Sequence, residues 1–197
     1  VTGEAPTAYE ATYCPRCGTR TESKVVDGAP RYWCPDCDVV HWDAAVPVVG
    51  VAVVDVDRER VLAFRHDRTG TFDLPNGHQE LPESAAATAV RELREETNLD
   101  VDADALQLFD VTVKQHPLGR YNFSTTYLVR ASETTGEVVP ERNDDVTEWV
   151  TPADARARED EFVPGVVAVV ERAVRELAYD DGDGDVGADL TDDSDCG

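Results

Sequence analysis

Apolar residues along this chain change spacing several times, and each change marks an element. Residues 48–56 are apolar almost without a break, which predicts a strand buried on both faces. Arg58 and Glu59 make a turn, and residues 61–65 form the next strand. Residues 72–77 read Phe-Asp-Leu-Pro-Asn-Gly, a tight loop. Ala86, Ala89, Val90 and Leu93 then recur at three- and four-residue spacing, the apolar stripe of a helix packed on a core. Asn98 can take the left-handed conformation that ends such a helix. Residues 105–114 and 121–130 are rich in β-branched and aromatic side chains and predict an antiparallel pair. Residues 146–150 form a short strand holding Trp149. Thr151-Pro152 opens a helical turn, where proline is tolerated, and Pro164 starts a last helix running to about residue 178.

The pattern divides the chain into a flexible arm (1–10), a small module (11–43), a main domain (44–178) and a disordered acidic tail (179–197). A length of 197 residues suits one ordinary domain plus such a module. No glycine of the tail falls at the sixth position of a calcium loop in register with its acids, so that reading fails. No run approaches the 18 apolar residues of a membrane-spanning helix. The net charge is −23, and Lys24 and Lys114 are the only lysines. Such a surface suits a halophilic, high-salt cytoplasm, where salt screens self-repulsion. It argues against general affinity for nucleic acid or anionic membranes.

The polar side of the central helix carries the chemistry. Glu92, Glu95 and Glu96 lie within an arc of roughly 100°. Like charges at this spacing repel by roughly 0.2–0.5 kcal/mol per pair. A divalent cation turns the liability into an oxygen-rich site suited to Mg²⁺ or Mn²⁺. A solvated acidic face is the plainer alternative. The carboxylates belong to a longer pattern, G-x5-E-x7-R-E-L-x-E-E-x-x-L, from Gly77 through Glu83, Arg91, Glu92, Leu93, Glu95 and Glu96 to Leu99.

This segment resembles the Nudix box, the signature of hydrolases acting on nucleoside diphosphates linked to another group. Asn98 stands where the family usually has glycine, and Asn76 where many members have the first of two glycines. The resemblance implies an α/β/α sandwich around a mixed sheet. It implies metal bound by Glu92 and Glu96, helped by Glu95 and by the backbone carbonyl of Asn76. Glu83 and Arg91 look like the pair bracing loop to helix, and Glu95 or a loop acid like the base.

The small module carries Cys14, Cys17, Cys34 and Cys37 in a C-x2-C-x16-C-x2-C array. This is the spacing of a closed, four-cysteine structural zinc site on a ribbon. A pair of disulfides is the alternative. So short a ribbon cannot bury a core, so zinc would supply its folding free energy. Residues 28–30 read as its turn and 31–33 as a strand. Cys196, in the tail, reads as idle. A zinc ribbon before a Nudix domain resembles the arrangement in NAD(H) pyrophosphatases. Their further motif S-Q-P-W-P-F-P-x-S is missing: the corresponding stretch runs from Val113 to Asn122.

Other candidates are weaker. Asp144 and Asp145 stand in an acidic loop from which many Nudix enzymes draw a further ligand or base. Arg65, Arg120 and Arg142 suit diphosphate contacts, with surface ion pairing as the alternative. His116 can touch substrate from a loop, and Tyr121 and Phe123 can stack on a base or simply cover the sheet. His78 reads as an exposed loop histidine. The expected reaction is hydrolysis of a diphosphate linkage in ADP-ribose or NAD(H)-like substrates. A non-hydrolytic nucleotide sensor and an RNA-end processing enzyme gripping RNA by its ribbon are the alternatives. The ribbon's mixed charges argue against the last. The expected partner is a small-molecule nucleotide, with no nucleic acid and no membrane. A homodimer is one allowed assembly, and the expected location is cytoplasmic.

Overall fold

The computed structural model describes residues 11–42, 44–65, 67, 70–115, 121–143 and 145–180, the last two of the helix by backbone alone. The expected arm, the tail from 181 with Cys196, and His116, Arg120 and Asp144 lie outside the described residues. The ribbon comprises β1 (Glu22–Val26), β2 (Ala29–Cys34) and β3 (Val39–His41), antiparallel in that order. Its first turn is Asp27-Gly28, one residue earlier than expected, with φ of 51° and 79°. Two-residue hairpins need left-handed backbone at both centres, which Asp and Gly supply and Pro30 cannot. Ala29 and Pro30 already pair with Val26 and Val25.

The main domain runs β4 (Val46–Asp55), β5 (Arg60–Arg65), β6 (Phe72–Asp73), β7 (Asn76–His78), α1 (Ala85–Thr97), β8 (Asp100–Val101), β9 (Gln107–Gln115), β10 (Tyr121–Arg130), β11 (Thr134–Thr135), β12 (Val146–Val150), α2 (Pro152–Ala157) and α3 (Val166–Asp180). Its sheet has the order β12-β5-β4-β10-β9, with β6 paired to β5 and β7 to β4. β4 and β10 are parallel, and the other pairs are antiparallel. β4 carries the core on both faces, as its unbroken apolar run requires. Val49, Val51 and Val53 pack with Ala89 and Leu93 of α1. Ala52 and Val54 pack with Val166, Val170, Ala173 and Leu177 of α3. The result is an α/β/α sandwich around a mixed sheet. Each fully buried valine or leucine contributes roughly 1.5–3 kcal/mol of apolar transfer.

Two boundaries move for local reasons. Gly165 sits at φ 89°, so α3 begins after it and not at Pro164. The Arg58–Glu59 turn is a single 3₁₀ turn over Val56–Arg58, closed by Glu59 at φ 50°. No helix among the described residues is long and apolar enough to cross a membrane.

Candidate functional site

β7 lies against β4 with Gly50 opposite Asn76 and Val48 opposite His78, which holds the residue 75–79 loop beside α1. The Ser84 hydroxyl caps α1 by accepting from the Ala87 amide at 3.2 Å, and Asn98 ends it at φ 60°. The cap sets the helix register, so Glu92 and Glu96, one turn apart, both turn toward the loop.

Arg91 ties the parts together. Its guanidinium donates to both carboxylate oxygens of Glu83 at 2.8 and 3.0 Å and to the His78 carbonyl at 3.0 Å. It also reaches Glu92 at 2.7 Å and Glu95 at 3.2 Å. Glu83 takes a further bond from the Thr88 hydroxyl at 2.9 Å. The Arg91 guanidinium beside it holds the Glu83 carboxyl well down, at about 2. Arg91 stays cationic because the same partners favour its charged form.

Glu92 packs directly on Gly77, where a Cβ would overlap its carboxylate. Burial pushes the Glu92 carboxyl up, and Arg91 opposes that shift. Glu96 is buried, and its carboxylate accepts from the Asn76 amide at 2.9 Å. Burial, followed by the nearby charges of Glu92, Asp73 and Glu141, raises Glu96 to about 9. Asp73 is likewise raised by burial, to about 6. Glu95 stays half exposed on the outer side. A crowded, all-oxygen donor set with a pocket shaped by a missing Cβ fits a hard divalent cation.

Sequence reasoning favours Asp144 and Asp145 over Glu141 of the same loop and does not single out Asp73. Glu141 follows Pro140 and lines, with Arg94, Glu95, Asn98, Val139 and Pro140, a shallow depression along α1. It was one acid among several in its loop, and Asp73 was one letter in a turn motif; neither carried a spacing signal. Asp145 is buried elsewhere in that loop's course, and its carboxylate accepts from the Asp67 amide at 3.0 Å. Arg65 lies over the Phe72 ring at 5.1 Å, and Arg142 pairs with Glu141 at 3.8 Å. Tyr121 and Phe123 are exposed on β10.

The four ribbon cysteines are unoxidised, and their sulfurs lie within 4.8 Å of one another. Tetrahedral zinc with Zn–S bonds of about 2.3 Å needs sulfurs about 3.8 Å apart. Cys17 and Cys34 approach to 3.5 Å, so the set fits zinc and not two disulfides. Hydrogen bonds from the Thr19 side chain and backbone bring the Cys17 thiol down to about 6. Cys17 beside it pushes Cys37 up to about 12, and burial raises Cys34. A dication would favour the thiolate at all four positions.

These two sites define a class: an α/β/α sandwich whose helix carries a carboxylate cluster suited to a divalent cation, with a four-cysteine ribbon suited to zinc ahead of it. The chain belongs to the Nudix family: the family profile described as NUDIX domain matches residues 45–171, and the one described as Nudix N-terminal, a zinc ribbon, matches residues 12–43. It is 29% identical over 89 residues to the NAD-capped RNA hydrolase NudC of Vibrio atlanticus (strain LGP32), a match spanning 45% of this chain and 32% of that protein. Its fold is similar to a MutT NUDIX hydrolase from Burkholderia pseudomallei, with TM-score 0.55 and 20% identity over 66% of this chain and 98% of the other. A NUDIX hydrolase from Nitrosomonas europaea aligns with TM-score 0.55 and 18% identity over 85% of this chain and 93% of its own.

Proposed function

We propose that this protein hydrolyses the diphosphate linkage of nucleoside diphosphate derivatives to two monophosphates, with ADP-ribose and NAD(H)-like compounds as the first candidates. The observation that supports it best is the placing of Glu92 and Glu96, one helical turn apart, against Gly77 and the Asn76 amide. Mg²⁺ or Mn²⁺ bound there would neutralise the diphosphate and lower the pKa of the attacking water. Glu92 and Glu96 are the ligands in this reading, with the Asn76 carbonyl and Glu95 assisting. Arg91 holds Glu92 in place, and Glu83 holds Arg91. Glu95, half exposed, and Glu141, facing the same end of α1, are the candidate bases. Asp145 is kept as a ligand candidate only through rearrangement of its contact with Asp67. Arg65, His116 and Tyr121 remain candidate substrate contacts. An intact carboxylate set disfavours the sensor alternative.

A second reading has its own support. The relative from Vibrio atlanticus is named for NAD-capped RNA, so the diphosphate cleaved here can be the one at the 5′ end of an RNA chain. That reopens the nucleic acid that the charge of −23 argues against. Product analysis decides between them. ADP-ribose, NADH and NAD-capped RNA are supplied with Mg²⁺ or Mn²⁺, in dilute buffer and in multi-molar KCl. Cleavage of ADP-ribose or NADH to monophosphates supports the first reading, and strong preference for capped RNA the second. Binding without cleavage of any would establish the sensor.

A further inference from the structure

The excess negative charge is not spread evenly. Residues 11–42 hold four acids, Glu22, Asp27, Asp36 and Asp38, and four bases, Arg16, Arg20, Lys24 and Arg31, so the whole −23 lies outside the ribbon. Strand register then sorts those residues. Lys24 stands directly opposite Arg31, and Glu22 opposite Trp33. His41 stands opposite Tyr32, which brings Trp42 alongside Arg31. Lys24, Arg31, Trp33 and Trp42 therefore share one face of the three-stranded sheet, with Glu22 on the same face at the Trp33 end.

The contacts on that face follow the register. The Lys24 ammonium lies 4.5 Å from the Trp33 ring centre, and the Arg31 guanidinium 5.3 Å from that of Trp42. Trp42 is 59% exposed, an unusual position for the largest apolar side chain. Lys24 and the Trp33 indole N–H both engage Asp38, at 3.7 and 2.9 Å. Arg31 differs: among the described residues no carboxylate pairs with it, and its Nε has no hydrogen-bond partner. In a chain with 41 acidic residues, this guanidinium is left to an aromatic ring.

We propose that this face binds single-stranded RNA, the polynucleotide that follows the diphosphate in a capped-RNA substrate; for that last clause the inference rests on the second reading above. Alternating cations and flat aromatic rings are what a single strand requires: guanidinium and ammonium meet phosphate oxygens while bases stack on indole. Neither sequence specificity nor a duplex is called for. A protein partner of acidic character would use Arg31 and Lys24 but would gain nothing specific from base-sized stacking on Trp42.

The test uses the full chain, zinc-loaded, and a fluorescently labelled 12-nucleotide RNA with a 5′ hydroxyl. This probe has no diphosphate, so the outcome is independent of whether the Nudix site cleaves anything. Fluorescence anisotropy is read across a KCl series for wild type, W42A, W42F, R31Q and R31K. W42A is expected to weaken binding about tenfold, with W42F recovering most of it. R31Q is expected to weaken binding and lower the slope of log affinity against log salt by about 0.7, with R31K restoring the slope. Zinc content of one per chain in each variant shows that the ribbon is folded. No binding by wild type, or equal affinity across zinc-loaded variants, overturns the proposal. If the RNA binds as described while no nucleotide is cleaved, the proposed activity fails and the ribbon inference stands.

Discussion

Gly77 and Glu92 touch across a gap that only a hydrogen atom fits: a Cβ on Gly77 would overlap the Glu92 carboxylate. They meet because Gly77 pairs with Val49 of β4, and α1 packs on the face of β4 that carries Val49. A Gly77→Ala change should therefore push the carboxylate aside, not disrupt the fold, since the clashing atoms end a flexible side chain. Turnover on the best substrate should fall at least tenfold and the Mn²⁺ concentration for half-activation should rise. The thermal midpoint should move by only a few degrees. Wild-type metal dependence in this variant would remove Glu92 from the ligand set.

Glu92→Gln and Glu96→Gln keep shape and delete charge. Each should lower kcat by on the order of 10²–10³-fold, the scale of losing one group that stabilises a developing charge. Glu95→Gln and Glu141→Gln separate the two base candidates, and the base should show the larger loss in kcat. Steady-state kinetics after a circular dichroism check of fold provides the measurement. Full activity in both Glu92→Gln and Glu96→Gln would show the metal site to be elsewhere.

Glu96 also predicts how metal-free stability varies with pH. Its folded carboxyl is raised to about 9, above the ordinary 4.5 of an unfolded chain. The folded state thus binds the extra proton, and stability contributed by this group falls as pH rises from about 4.5 to about 9. Glu96→Gln should flatten that decline in chelator-treated protein, measured by denaturant unfolding at several pH values. Added Mg²⁺ should stabilise wild type more at pH 8 than at pH 5.

Glu83 works in the opposite sense. Its folded carboxyl is depressed to about 2 by Arg91, so its contribution is present above about 4.5 and is lost as pH falls toward 2. Glu83→Gln should remove part of the acid limb of the stability curve and leave the limb above pH 6 unchanged. A superimposable acid limb in the variant would mean that the Arg91 pair does not couple to folding.

Purified protein should carry one zinc per chain, and Cys34→Ser should abolish it. Because no ribbon residue belongs to either core cluster of the sandwich, a zinc chelator should unfold residues 11–42 while the helical circular dichroism signal of the sandwich persists. Elemental analysis without zinc, or native disulfides found among these cysteines by mass spectrometry, would contradict the site.

The thermal midpoint should rise between dilute buffer and multi-molar KCl, because salt screens repulsion among the excess acids outside the ribbon. Unchanged midpoints would show that the charge is accommodated without salt.

The local periodicities carried most of the fold. The unbroken apolar run of β4, the three- and four-residue stripe on α1 and the β-branched runs of β9 and β10 each report a face that must be buried, and burial is a property of the element itself. Spacing also carried Glu92, Glu96, Arg91, Glu83 and the four cysteines, because one helix or one pair of short loops brings them together. Contacts between distant segments were not legible in that way. Glu141 lines a shallow depression with Glu95 while the Asp145 carboxylate accepts from the Asp67 amide, although both stand in one acidic loop. The ribbon reads as charge-balanced along the sequence, and only strand register gathers Lys24, Arg31, Trp33 and Trp42 on one face. Sequence by itself determined the elements, the box and the four cysteines that cluster, since these follow from short-range spacing and burial. Tertiary structure decided which acids meet, which cation is left without a carboxylate and which glycine must lack a side chain, since those depend on packing between segments that no local period records.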